Sequence, residues 1–82
     1  MQFLDDEIGL EKIRSSMTGR MLQQMTAKDW SIRVLSDESE VPYESLKKLL
    51  NGKILNPSLM SVLKIAMALD CSLDYLVLGK ES

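Results

Sequence analysis

The residues of this chain best placed to do chemistry lie in one short run, Tyr43-Glu44-Ser45-Leu46-Lys47-Lys48-Leu49-Leu50. If the run is helical, Leu46, Leu49 and Leu50 turn inward together, and Tyr43, Glu44, Lys47 and Lys48 form the outward and leading face. Such a face suits base edges: Lys donates to guanine O6 and N7, Glu accepts from cytosine N4, and Tyr meets a thymine methyl or a phosphate. Ser31, at the head of an earlier helical stretch, adds a hydroxyl beside free backbone amides, a pairing that suits a phosphate oxygen. Catalysis has no comparable set. The chain has no His, so the commonest general acid–base group is missing. No nucleophile–base pair and no phosphate-cradling glycine loop can be found. One cysteine, Cys71, makes neither an internal disulfide nor a zinc cluster. No catalytic residue, metal ligand or cofactor is expected, and the chain does not read as an enzyme.

Those residues need a frame to hold them. At 82 residues the chain is about one small domain, and such a domain buries only about 60% of its unfolded surface. A composition of 45% apolar residues supplies the core and excludes disorder. No apolar run approaches the roughly 18–20 residues of a membrane span, and no signal segment opens the chain. A reducing cytoplasm is the expected setting. Ten Lys/Arg against twelve Asp/Glu give a net charge of −2, with a pI near 5.0. The charge is uneven: residues 1–40 carry −3, whereas residues 43–64 carry +3. A local positive face can steer towards a polyanion even on an acidic molecule.

No stretch alternates apolar and polar residues between hairpin turns, so every element reads helical. Leu4, Ile8, Ile13, Met17, Met21 and Met25 form a stripe of mostly four-residue spacing. Gly9, Gly19 and Ser15-Ser16 weaken its middle and favour a break near residues 15–18 over one long helix. The main helix is expected to end near Lys28, with Asp29 taking the left-handed closing position. Ser31 caps a second helix, with Trp30 before it as a hydrophobic staple and Ile32, Leu35 and Val34 facing inward. After the polar run at residues 36–40, Val41-Pro42 restarts the chain into a third helix that stops at Asn51-Gly52. Asn56 or Ser58 caps a fourth helix whose inner face is Leu59, Val62, Leu63, Ile65, Ala66 and Leu69. Ser72 caps a short fifth, docked by Leu73, Leu76 and Val77 and ended by Gly79. Cys71 reads as buried filler between the last two. The expected fold is all-α, a compact bundle of about five short helices with an extra N-terminal helical extension.

Residues 30–52 place a capped helix, a short turn and a second short helix in sequence, the helix-turn-helix arrangement whose second helix can enter a DNA major groove. Over residues 17–79 the chain resembles the lambda-repressor/Cro-like (XRE) helix-turn-helix family. The likeness rests on Ser31-Ile32-Arg33-Val34-Leu35-Ser36 followed by Glu40-Val41-Pro42, and on Leu46-Lys47-Lys48-Leu49-Leu50-Asn51-Gly52-Lys53. Asn56-Pro57-Ser58-Leu59, Leu63-Lys64-Ile65-Ala66, Ala68-Leu69 and Ser72-Leu73-Asp74-Tyr75-Leu76 continue it in order. The resemblance implies that Tyr43, Glu44 and Lys48 reach base edges, while Lys47, Asn51 and Lys53 lie near the backbone. It departs in two places within the motif. Ile32 stands where the family has a glutamine near a phosphate, and Glu40 stands where it has a turn glycine. If Glu40 is left-handed, the strain is on the order of 1–2 kcal/mol.

The resulting expectation is a sequence-specific DNA-binding transcriptional regulator, a repressor that reads a palindromic operator as a homodimer through residues 42–50. Residues 1–16 would be the extension and dimerisation element, since Phe3, Leu4, Ile8 and Leu10 have no partner in a five-helix core. Residues 17–79 would be the DNA-binding domain and residues 80–82 a tail. The rival is a protein-interaction module of the same fold, an antitoxin or regulator-binding protein, favoured by the acidic total, Ile32 and Glu40. Read without the motif, Lys47, Lys48 and Lys53 are an ordinary solvated face.

Overall fold

A computed structural model describes residues 7–53 and 57–80, and the side chains of residues 12, 13 and 15 onward within them. Among the described residues five helical elements follow one another: α1 (Glu7–Lys28), α2 (Ile32–Ser39), α3 (Tyr43–Leu50), α4 (Leu59–Ala68) and α5 (Asp74–Leu78), the last a single wide turn of π type. The described residues contain no strand. The all-α expectation holds.

The expected break near residues 15–18 does not occur; α1 runs unbroken through Ser15, Ser16 and Gly19. Propensity loses here to packing. Met17, Met21 and Met25, one per turn, are all buried, and burying one such side chain is worth roughly 1.5–3 kcal/mol. An exposed helical glycine costs only about 1 kcal/mol, and open space surrounds Gly19. The hydroxyl of Thr18 donates to the Ser15 carbonyl at 3.0 Å, which keeps its proton inside the helix. At about 1.5 Å per residue α1 is roughly 33 Å long, against 37 Å for the longest dimension of the molecule. Among its described side chains the buried stripe, Met17, Met21 and Met25, runs from the middle of the helix towards its C-terminal end. Phe3 and Leu4 lie outside the described residues, as do the side chains of Ile8 and Leu10.

Around that stripe the core gathers Leu35, Val41, Leu46, Leu49, Val62, Ile65, Ala66, Leu69 and Leu76. Trp30, Ile32, Leu50, Leu73 and Val77 pack partly buried against it. Two residues expected inside are not. Val34 is 37% exposed, and Leu59 is 72% exposed. On α4 the run Val62, Ile65, Ala66, Leu69 already completes a helical stripe, and Leu59 stands one turn before it at the open end of the helix. Ser39, which was not expected inside, is buried, and its Oγ accepts from the Val41 amide at 3.3 Å.

The start and stop signals are realised by hydrogen bonds. Ser31, Ser58 and Ser72 each accept from the amide three residues on, Val34, Ser61 and Tyr75. Asn56 lies outside the described residues, and Ser58 is the cap of α4. Asp29 closes α1 at φ 58°, its amide on the Thr26 carbonyl and the Trp30 amide on that of Met25, the paired bonds of a Schellman closure. The Lys28 ammonium sits over the Trp30 ring, 5.4 Å from its centroid. Asp70 ends α4 in the same way at φ 58°. Next to it, Cys71 is partly buried. Burial pushes its thiol up from the ordinary value, the Asp70 charge adds to this, and Lys28 opposes it. The thiol is therefore protonated and weakly nucleophilic at neutral pH.

One long-range tie had no signal in the sequence. Arg20, on α1, donates from Nε to the Leu76 carbonyl at 2.9 Å and from Nη2 to that of Val77 at 2.8 Å. Gln24 reaches the Tyr75 hydroxyl at 3.3 Å. The guanidinium passes so near Gly79 that a β-carbon there would lie 2.8 Å from Nη1, and Gly79 also has φ 74°. Glycine answers both demands at once.

Candidate nucleic-acid interface

The geometry of the site begins with the turn between α2 and α3. Glu40 has φ 61° and ψ 24°, and its amide donates to the Ser36 carbonyl at 2.9 Å. The Ser36 hydroxyl donates to the Val41 carbonyl at 2.7 Å. With the Ser39–Val41 bond, these interactions hold the turn at both its ends, and Val41 is buried beneath it. Glu40 is thus left-handed, the case in which the strain arises. Asp tolerates that region through its short polar side chain, as at Asp29 and Asp70; Glu has no such relief. Glu40→Gly is expected to stabilise the domain by about 0.5–1 kcal/mol, the released strain less the extra freedom of glycine in the unfolded chain. Urea unfolding of the two proteins would show a higher midpoint with an unchanged slope.

After the turn Pro42, at φ −55° and ψ 140°, sets the entry to α3, and its carbonyl accepts from the Leu46 amide. Leu46 and Leu49 are buried, which fixes the rotation of the helix about its axis. Glu44, Lys47, Lys48 and Asn51 are consequently exposed, and Tyr43 is half-buried. Glu44, Lys48 and Asn51 stand at i, i+4 and i+7 and form one line; Tyr43 and Lys47 form the next. At the far end Gly52, at φ 74°, donates to the Leu49 carbonyl at 3.1 Å, and Lys53 to that of Lys48 at 2.8 Å. This Schellman closure holds the backbone of Asn51 and Lys53 directly beyond the last turn. The residue in the left-handed conformation is Gly52; Asn51 has φ −87°.

Ser31 stands at the head of α2 as its N-cap. Its Oγ accepts from the Val34 amide at 3.2 Å, so the hydroxyl proton is free to donate elsewhere. The first turns of α2 and α3 meet where the Arg33 guanidinium lies over the Tyr43 ring, 4.9 Å from its centroid. All seven residues singled out from the sequence, Ser31, Tyr43, Glu44, Lys47, Lys48, Asn51 and Lys53, are thereby fully or partly exposed on or next to α3 and the head of α2. Sequence reasoning missed Arg33. Its only signal was its place in the first turn of α2, which says nothing about a residue on another helix.

A family model described as Helix-turn-helix matches residues 21–76, more than half of the chain. The chain belongs to the Cro/C1-type (XRE) helix-turn-helix family. It is a family of DNA-binding regulators and not usually of enzymes. Among curated proteins and among solved structures nothing matches the chain. The XRE match spans the C-terminal part of α1 through most of α5 and so contains the whole α2-turn-α3 unit. Two residues depart from the XRE pattern, and each has a structural counterpart. Ile32 is half-buried against the core, offering no polar group to a phosphate, and Glu40 bears the left-handed turn. Among the described residues no helix is long and apolar enough to cross a membrane, and no acidic, Cys or His group could hold a metal ion.

Proposed function

We propose that this XRE chain is a sequence-specific transcriptional repressor that binds a palindromic operator as a homodimer, with α3 in the major groove. The observation that carries this reading is the outward face of α3. Buried leucines set its rotation, hydrogen bonds secure both of its ends, and it presents Glu44, Lys47, Lys48 and Asn51 together to solvent. Tyr43, Glu44 and Lys48 are the base-reading residues. Lys47, Asn51 and Lys53 flank the backbone, and Ser31 donates its free hydroxyl proton to a phosphate from the head of α2.

The net charge of +3 over residues 43–64 supports the reading against the acidic total. Such a patch neutralises few phosphates, so one copy binds weakly. Two copies reading half-sites about 34 Å apart multiply that affinity. Residues 1–16 are the proposed dimerisation element, residues 17–79 the DNA-binding domain and residues 80–82 a tail. The setting proposed is the cytoplasm.

Gel-shift binding to fragments upstream of the chain's own gene, with random DNA as competitor, tests the reading. A discrete complex that survives excess competitor and disappears in the Lys47→Ala/Lys48→Ala protein is expected. Absence of any complex at low salt would overturn it and leave a protein as the partner. Lys53→Ala separates backbone from base contact. It should weaken specific and random DNA alike and lower the slope of log affinity against log salt by about 0.9 per subunit. A slope unchanged from wild type would remove Lys53 from the interface.

A further inference from the structure

The Arg33–Tyr43 stack is a cross-helix contact that the proposed interface has not used. Arg33 stands on the first turn of α2 and is exposed; Tyr43 is the first residue of α3 and is half-buried. The guanidinium carbon lies 4.9 Å from the centre of the ring, inside the range of a cation–π contact. Two consequences follow from the chemistry of the pair. A ring pinned on one side by a planar cation loses rotational freedom, so Tyr43 is ordered before anything binds to α3. A cation–π contact uses none of the guanidinium's N–H donors. Those donors lie in one plane, in the fork geometry that grips a phosphate through two parallel hydrogen bonds.

We infer that Arg33 is a DNA-backbone contact and that Arg33 and Tyr43 act as one coupled unit, the arginine clamping a phosphate while it holds the tyrosine ring in place at the head of α3. The inference rests on the reading of DNA as the partner. It adds a cation to the face formed by Lys47, Lys48 and Lys53, outside the +3 segment of residues 43–64. It also accounts for how a phosphate is met at the head of α2 although Ile32 turns towards the core.

The test is a double-mutant cycle read by fluorescence anisotropy on operator and random duplexes across a salt series. The proteins are wild type, Arg33→Ala, Arg33→Lys, Tyr43→Ala and Arg33→Ala/Tyr43→Ala. Arg33→Ala should weaken both duplexes on the order of tenfold and lower the salt slope by about 0.9 per subunit. Arg33→Lys should restore the slope, because charge is kept, but only part of the affinity, because the planar stack and fork are lost. The double variant should lose less than the product of the two single losses. Thermal melts of the two single Arg33 variants, followed by circular dichroism, should stay close to wild type, since Arg33 is exposed, which separates a contact from a folding defect. Wild-type affinity and slope in Arg33→Ala, or strictly multiplicative losses in the cycle, would overturn the inference while wild-type binding left the DNA reading standing. Failure of wild type to bind either duplex would instead overturn the DNA reading, and the inference with it.

Discussion

Leu46→Ala is expected to destabilise the domain by about 2–5 kcal/mol, the usual cost of a cavity left by a buried leucine. Leu46 is fully buried at the middle of α3, where the helix meets the common core. A domain of this size has a total stability near the low end of about 5–15 kcal/mol. One such cavity therefore consumes a large share of the margin. The expected readout is a sharply lower urea midpoint, with the slope unchanged if the transition stays two-state. DNA binding should fall as the folded fraction falls and recover on cooling or with an added osmolyte. A loss of binding that persists when the protein is fully folded would assign Leu46 a role beyond holding α3 in place. Leu50, which is only partly buried, should cost less when cut to alanine, a ranking that checks the assigned rotation of the helix.

That rotation was legible from the sequence because it depends on local spacing alone: leucines at 46, 49 and 50 can face the core in only one way. The caps were legible for the same reason. Ser31, Ser72 and the Asn51-Gly52 stop are short-range chemistry, and Asp29 carries the left-handed conformation that its closing position demanded; for Glu40 only the family's turn glycine raised that question. Where two elements compete or meet, local spacing fails. The unbroken α1 reflects three methionines buried by other helices, against which Gly19 and two serines weigh little. Leu59 has the right period for the inner face of α4 but stands a turn before the buried stripe, a fact set by where the core ends. Arg20 and its two carbonyl partners are 56 and 57 residues apart in the chain, and Arg33 and Tyr43 sit on different helices. No periodicity encodes such pairs. The candidate site was thus readable as a face, whereas the contact that braces its leading residue was not.

Lys48→Ala is expected to separate reading from mere attachment. The side chain is exposed, and the backbone carbonyl that accepts from the Lys53 amide is unaffected by truncation. Alanine is also the best helix former. Stability should hardly change, so any loss of binding belongs to the ammonium group. If Lys48 donates to a guanine, affinity for the operator should drop by about 1–3 kcal/mol per subunit, while affinity for random duplex changes little. On the proposed two-fold operator the same loss would be incurred in both half-sites, far enough apart to add, so roughly 2–6 kcal/mol should vanish from the proposed dimeric complex. That is enough to turn a discrete complex into background. A palindrome with one half-site scrambled supplies the internal control. Its wild-type affinity is already reduced, and Lys48→Ala should cost it about half as much as it costs the intact site. Equal losses on operator and random DNA would move Lys48 from the base edges to the backbone, and leave Tyr43 and Glu44 to carry the specificity of α3.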